Sequence, residues 1–305
     1  MSGEVIVILG PTASGKTGLG IALARRLNGE IVSADSRQMY RYMDIGTAKP
    51  TPEQRAAVPH HLLDVVNPDE DFSLSDFIAH ARRAIDDIHA RGKRALLVGG
   101  TGQYITALLD GWSIPPVPPN EILRAELEAE AAAHGADALY ARLQALDPAA
   151  AANIHPNNIR RVVRALEVCL TTGQRFSDLQ RKQPPPYHVR YIGLTLERDA
   201  LYARADQRFD DMIAAGFVDE VRGLLAAGYD RRLPSMSGLG YAELCAHLLD
   251  GEPLAEAIAR AKGNTHDFIR RQYTWFRGHD RGIRWYDVTE AGSMDELVEW
   301  VMGGD

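Results

Sequence analysis

Cysteine is scarce: two thiols, Cys169 and Cys245, stand in 305 residues, too few for a disulfide framework or a zinc cluster. Both fall on helical stretches and read as core thiols. No apolar run approaches the roughly 18 residues that span a bilayer, and no secretory signal opens the chain. No membrane partner and a cytoplasmic setting are therefore expected. The net charge of −7 argues against a polyanion if taken globally. Also missing is an acidic residue where the apolar run Ala95-Leu96-Leu97-Val98 ends, because that run passes straight into Gly99-Gly100-Thr101-Gly102. Phosphoryl-transfer enzymes usually carry a Mg²⁺-binding carboxylate at such a strand end.

What is present centres on residues 5–17. Val5 to Leu9 form a short apolar run bounded by glycine, which predicts a buried strand. Gly10, Gly15, Lys16 and Thr17 complete G-x-x-x-x-G-K-T, and Leu19, Leu23 and Leu27 follow at helical spacing. Strand, glycine loop and helix are the context a phosphate loop requires. Backbone N–H groups converge on phosphate oxygens there, and the helix N-terminus adds its positive end. Lys16 is expected to reach the outer phosphates and the Thr17 hydroxyl to help hold Mg²⁺. The motif leaves open which diphosphate or triphosphate is gripped and what happens to it.

Glu30 to Ala34 read as a second strand with Asp35-Ser36-Arg37-Gln38-Met39-Tyr40 at its C-terminal end, where open α/β sheets place functional residues. Residues 41–71, with Pro50, Pro52, Pro59 and Pro68, are expected to be irregular. The adjacent His60-His61 read as packing residues, since neighbouring side chains do not converge on one metal. A helix is predicted over 73–90 with Phe77, Ala81, Ile85 and Ile88 on one face, and a third strand over 93–98. This alternation predicts a P-loop NTPase-like α/β fold, a parallel sheet flanked by helices. Pro115-Pro116-Val117-Pro118-Pro119 and Pro184-Pro185-Pro186 bracket an alanine-rich helical segment. An inserted all-helical subdomain over 115–186 is expected within a core formed by 1–114 and 187–305. Strands over 191–196 and 283–288 and helices over 198–214, 218–226, 242–249, 253–277 and 293–302 complete the reading.

Charge is uneven. Residues 158–190 carry seven basic side chains, among them Arg160, Arg161, Arg164 and Arg181, against two acidic ones. Residues 260–284 carry seven against Asp267 and Asp280, with Phe268, Tyr273, Trp275 and Phe276 interleaved. Local basic stretches on an acidic chain suit a polyanion, and aromatics suit unpaired bases. Arg160 and Arg164 are one helical turn apart and are expected to share a face. Asp35 is the available carboxylate near the phosphate loop, able to orient Mg²⁺ or accept a proton. Thr101 offers a hydroxyl at the sheet edge. The pattern permits a transferase in which diphosphate is the leaving group.

Gly10 to Thr17, Asp35 to Tyr40, Asp44-Ile45-Gly46-Thr47-Ala48-Lys49-Pro50, Pro59 to Asp64, Gly99 to Gly102, Arg164 to Val168, Arg208-Phe209 with Met212, and Arg271-Gln272-Tyr273-Thr274-Trp275-Phe276-Arg277 closely resemble the tRNA dimethylallyltransferases. The match runs in order over nearly the whole chain. It implies transfer of a dimethylallyl group from dimethylallyl diphosphate to N6 of the adenosine 3′ of the anticodon, in tRNAs reading codons that begin with U. Gly10, Pro11, Thr12, Ala13, Ser14, Gly15, Lys16 and Thr17 would hold the diphosphate with Mg²⁺, and Arg208 would add a ligand. Asp35 matches the general base and Thr101 a residue beside the reacting adenine. Asp35, Ser36, Arg37, Gln38 and Thr101 match one tRNA-contacting stretch. Arg160, Arg161, Val162, Val163 and Arg164 match a second, in the domain gripping the anticodon stem-loop, and Arg124 is a further contact. Gln103 stands where the family commonly has leucine, and Thr265-His266-Asp267-Phe268 is less basic than in many members. The chain shows no Cys/His zinc finger of the eukaryotic members, so a bacterial-type enzyme is expected, as a monomer.

Three rivals remain at this point. An adenylate isopentenyltransferase would use free AMP, ADP or ATP and would need no basic inserted domain. A small-molecule kinase would want the missing strand-end carboxylate. A non-catalytic RNA-binding module would have no use for Asp35 and Thr101 at two strand ends.

Overall fold

Apolar residues in an unbroken run fit a strand covered on both faces, and β1 (Glu4–Leu9) occupies the interior of a six-stranded sheet of order β3-β2-β4-β1-β5-β6. The computed structural model describes residues 3–115, 117–180, 182–279, 281–290 and 293–302. Pro116, Arg181 and Asp280, which figure in the expectations above, lie outside the described residues. The remaining strands are β2 (Gly29–Ser33), β3 (His60–His61), β4 (Arg94–Gly99), β5 (His188–Thr195) and β6 (Arg284–Asp287), and every pairing is parallel. The chain divides into two compact units, one formed by Met1–Leu108 with Pro186–Asp305 and the other by Leu109–Pro185.

In the sheet unit, α1 (Lys16–Arg26), α2 (Pro52–Ala57), α3 (Leu74–Ala90) and α4 (Gly102–Leu109) follow the first strands. Leu19 and Leu23 of α1 join Ile6, Ile8, Leu96 and Leu194 in the core. The Ser73 hydroxyl and Asp76 cap the start of α3 reciprocally, and Phe77, Ala81, Ile85 and Ile88 are buried along one face. Residues 41–71 are more ordered than expected. Pro52 sits in the first turn of α2, where a missing N–H costs nothing, behind a capping box formed by Thr51 and Gln54. His60 and His61 pair with Ile31 and Val32 to make the edge strand β3. Proline at a helix start reads in sequence as a breaker, which hid this helix. β5 begins at His188, earlier than the predicted 191, because its first residues pair with Glu4, Val5 and Ile6. No helix among the described residues is long and apolar enough to cross a membrane.

The second unit contains α5 (Glu121–His134), α6 (Ala136–Leu146), α7 (Pro148–Ala151), α8 (Ile159–Thr172) and α9 (Phe176–Leu179). Asn120 and Asn158 cap α5 and α8, and Leu127, Leu139, Leu143, Val162 and Leu166 form the core. Glu167 is fully buried there, accepting from the Arg124 guanidinium (2.9 and 3.1 Å), Arg164 Nη1 (2.5 Å) and the Asn120 backbone N–H (2.7 Å). Cys169 is buried in the same core, and burial pushes its thiol up.

The sheet unit resumes with α10 (Arg198–Ala214), α11 (Phe217–Ala226), α12 (Tyr241–Asp250), α13 (Leu254–Gly278) and α14 (Met294–Met302). Cys245 on α12 is buried, with its thiol likewise pushed up.

Burial alone would raise the Glu167 carboxyl, but the bonds from Arg124, Asn120 and Arg164 outweigh it and hold the group below the usual carboxylate range. The contribution is therefore complete above the unfolded value of about 4.3 and disappears as pH falls through the lower folded value. Glu167→Ala leaves Arg124, Arg164 and the Asn120 N–H without their acceptor, and should cost about 3 kcal/mol in urea unfolding at pH 7. The gap between variant and wild type should narrow under acid conditions.

Candidate active site

The cavity lies at the C-terminal edge of the sheet, wholly within the sheet unit, and measures about 360 Å³. Chain geometry explains its floor. Leaving β1, the backbone takes left-handed conformations at Ala13 (φ 63°) and Gly15 (φ 93°), turning the loop around the N-terminus of α1. Helix geometry leaves the first N–H groups of α1 without helical acceptors, so they are free for an anion. Ser14 is fully buried and its Oγ has no hydrogen-bond partner among the described residues; an anion in the cradle could satisfy it. Lys16 Nζ donates to the Pro11 carbonyl at 2.6 Å. Burial, then the neighbouring Arg208, bring Lys16 down to about 7, with Asp35 acting the other way. Burial also lowers Arg208, opposed by Asp35. Among the described residues neither cation has a carboxylate within salt-bridge distance, so both charges are left for an anion to neutralise.

The opposite side is built by the ends of β2 and β4. Asp35 Oδ1 accepts the backbone N–H groups of Arg37 (2.8 Å) and Gln38 (3.4 Å). Its Oδ2 has no protein partner among the described residues and remains available to a ligand. Thr101 Oγ1 accepts the Ser36 N–H at 3.1 Å, so its own O–H can still donate. Phe209, Met212, Leu239 and Phe268 supply an apolar wall. A carboxylate, a hydroxyl, two cations and an apolar wall therefore share one cavity. It can separate charge between a leaving anion and a proton acceptor. The Thr17 hydroxyl and Asp35 both line it, a hard-oxygen donor pair that fits Mg²⁺ when phosphate oxygens and water complete the shell.

Two residues given no role in the sequence expectations organise these loops. Gln272 on α13 joins the phosphate loop to the Gly99–Gly102 turn through its amide. Glu220 on α11 accepts from the backbone N–H groups of Asp44 (2.8 Å), Ile45 (2.7 Å) and Gly46 (3.2 Å) and from the Tyr241 hydroxyl (2.6 Å). It fixes the segment whose Thr47 and Ala48 carbonyls hold Gln38. Arg271 also lines the cavity, stacked over Phe268. The Arg271-Gln272 pair lies within a motif that carries the family resemblance, but nothing in sequence assigned it a partner. Glu220 had no signal at all.

The expected tRNA-contacting residues divide by environment. Gln38 bonds Ser33 and two carbonyls, and Arg37 bonds the Pro234 and Ser235 carbonyls and the Ser237 hydroxyl, so both side chains brace the pocket. Val162 and Val163 are 1% and 3% exposed in the helical core. Their side chains fill that core, so any contact with a ligand would be made by the backbone near the start of α8. Arg124 and Arg164 are committed to Glu167, so Arg164 does not share an open face with Arg160. Arg160 and Arg161 are exposed and carry no ion pair among the described residues. In the second basic stretch, Arg260, Lys262 and Arg270 pair with Glu252, Asp210 and Asp267. His61 Nε2 faces Glu30 at 2.7 Å, while His60 Nδ1 meets the Val58 carbonyl at 2.7 Å. The two rings thus serve separate partners.

Fold and cavity define a phosphate-loop α/β protein whose cavity sets two cationic side chains and an apolar wall side by side. The profile of the IPP transferase family matches residues 38–279, and that of the isopentenyl transferases matches residues 3–64. The chain is 60% identical over 273 residues to a tRNA dimethylallyltransferase of Roseiflexus sp. (strain RS-1), covering 90% of each. It is 50% identical to that of Thermomicrobium roseum, covering 97% of this chain and 90% of the relative. The full-length tRNA isopentenylpyrophosphate transferase of Bacillus halodurans superposes with a TM-score of 0.71 at 42% identity, over 98% of this chain and 96% of that one. A eukaryotic dimethylallyltransferase acting on tRNA gives a TM-score of 0.83 at 28% identity, over 100% of this chain and 79% of that one. The chain belongs to the tRNA dimethylallyltransferases, a family of prenyl-transferring enzymes.

Lys16 sheds its proton as pH rises through about 7, so its attraction for an anion fades above that point. In calorimetric titrations with inorganic diphosphate, the ratio of wild-type to Lys16→Met affinity should fall between pH 6.5 and 8.5. Taking the ratio cancels the ligand's own titration. A constant ratio would mean that the ammonium stays charged throughout.

Proposed function

We propose that the cavity transfers a dimethylallyl group from dimethylallyl diphosphate to N6 of the adenosine 3′-adjacent to the anticodon, in tRNAs reading codons that begin with U. The observation that carries this reading is the pairing of two cations without carboxylate partners, Lys16 and Arg208, with the free carboxylate oxygen of Asp35 across an apolar-walled cavity. The donor's C–O bond breaks and diphosphate leaves into the phosphate loop, where Lys16, Arg208 and backbone N–H groups stabilise its charge. A C–N bond forms at N6, and the N6 proton passes to Asp35. The N6 lone pair is delocalised into the ring, so alignment with the allylic carbon matters as much as proton removal. The Thr101 hydroxyl helps hold the adenine. Thr17 would help hold Mg²⁺, which when bound supplies further charge stabilisation for the leaving diphosphate. Stacked bases cannot enter such a pocket, so the adenosine leaves its loop stack, at lower cost from a single-stranded loop than from a duplex. The exposed Arg160 and Arg161 of the helical unit support a role for it in holding the anticodon stem-loop.

The test is transfer of labelled dimethylallyl diphosphate, with Mg²⁺, to three acceptors offered separately: a tRNA with adenosine after the anticodon, the same tRNA with that base changed, and free AMP. Label should enter the first alone; label entering AMP would assign the chain to adenylate prenylation instead. Asp35→Ala should lower transfer by about 10²–10⁴-fold while leaving tRNA binding in a filter assay within a fewfold of wild type. Undiminished transfer would remove Asp35 as the base.

A further inference from the structure

We propose that Gln272 is a positioning residue whose side-chain amide sets the spacing between the donor cradle and the acceptor loop. Gln272 is 6% exposed on α13. Its Oε1 accepts the Thr12 N–H of the phosphate loop at 2.9 Å, and its Nε2 donates to the Gly100 carbonyl at 2.9 Å. Both partners are backbone groups, one obligate donor and one obligate acceptor, so the orientation of the amide is fixed by chemistry. Thr12 belongs to the loop that grips the leaving group; Gly100 directly precedes Thr101 on the acceptor side. One planar group therefore spans the two halves between which the prenyl group must move.

The surroundings allow no slack. A Cβ on Gly100 would lie 2.4 Å from Gln272 Nε2, and one on Gly102 would lie 2.2 Å from the Trp275 ring. The glycines of this turn are explained by the close approach of α13. Two neighbours on the same helix brace it independently: Tyr273 Oη meets Thr195 Oγ1 at 2.8 Å at the end of β5, and Trp275 Nε1 donates to Thr106 Oγ1 at 3.2 Å on α4. The helix thus stays seated when the Gln272 amide is changed, and the spacing of the two loops is what is lost. Displacements of about 1 Å in a bond-forming pair can lower rate about 10²-fold.

The inference rests on the transfer reaction proposed above. When the acceptor is held off line, the allylic carbon of a donor that still ionises meets water. The C–O bond breaks, diphosphate leaves, the water oxygen bonds carbon and a water proton goes to solvent, giving dimethylallyl alcohol. Gln272→Met preserves size and removes both hydrogen bonds. It should lower kcat for transfer to tRNA about 10–100-fold, with KM for tRNA and for dimethylallyl diphosphate changed less than threefold, and raise the ratio of alcohol to prenylated tRNA. Gln272→Glu adds a second test. Its protonated carboxyl can accept from Thr12 and donate to Gly100, whereas its ionised form faces the Gly100 carbonyl with a second acceptor. The ratio of Q272E to Q272M turnover should therefore rise as pH falls from 8 to 6. Wild-type transfer with unchanged kcat and unchanged alcohol ratio in Q272M, or a Q272E to Q272M ratio flat with pH, would overturn the positioning role alone. Absence of transfer by the wild type would instead overturn the donor and acceptor assignment on which it rests.

Discussion

Parallel pairing of β4 between β1 and β2 sets Leu9 opposite Gly99 and Ser33 opposite Val98. Because all three strands run the same way, the phosphate loop, Asp35 and Thr101 leave the sheet at one edge, although their sequence positions span more than ninety residues. The doubly wound order makes this convergence unavoidable, and the crevice at such an edge is where ligands of open α/β sheets bind. Everything chemical in the cavity depends on that register. A cradle of N–H groups and two cations faces a carboxylate and a hydroxyl because the strands that carry them are neighbours.

Close approach of α13 is the second condition. The glycines of the Gly99–Gly102 turn answer to that close approach. On Gly99 a Cβ would meet the Ala34 carbonyl at 2.2 Å, so the bare backbone lets β2 and β4 end side by side while α13 lies directly over the turn. That proximity brings Arg271 and Phe268 to the cavity wall and places the Gln272 amide between two loops. Helix packing and the reactive geometry are thus one arrangement.

Buried carboxylates organise the remaining charge. Glu30 accepts from Arg91, Lys93 and His61, and Glu167 from Arg124, Arg164 and the Asn120 N–H. Each anion leaves water only because several donors replace its hydration. The same pairings explain why local counts of basic residues mislead. Most arginines and lysines in the two basic stretches have partners or stack on aromatic rings; among the described residues of the helical unit, the exposed ones without an ion pair, Arg160, Arg161 and Arg175, are few.

The sequence by itself determined the elements and the cradle. Apolar runs, the G-x-x-x-x-G-K-T loop, helical spacing in α3 and the proline brackets are local signals, because each reflects a preference decided within a few residues. Asp35 and Thr101 were legible for the same reason: they stand at strand ends. Only the tertiary structure decided which polar side chains work and which merely hold the frame. Arg124 and Arg164 turned out to serve Glu167, Val162 and Val163 to fill a core, and Gln38 to brace a loop. Gln272 and Glu220, silent in sequence, became the ties between segments. Apart from the Tyr241 hydroxyl, their partners are backbone groups up to 260 positions away. A backbone N–H or carbonyl has no residue identity to read, so those hydrogen bonds exist as information only once the chain has folded.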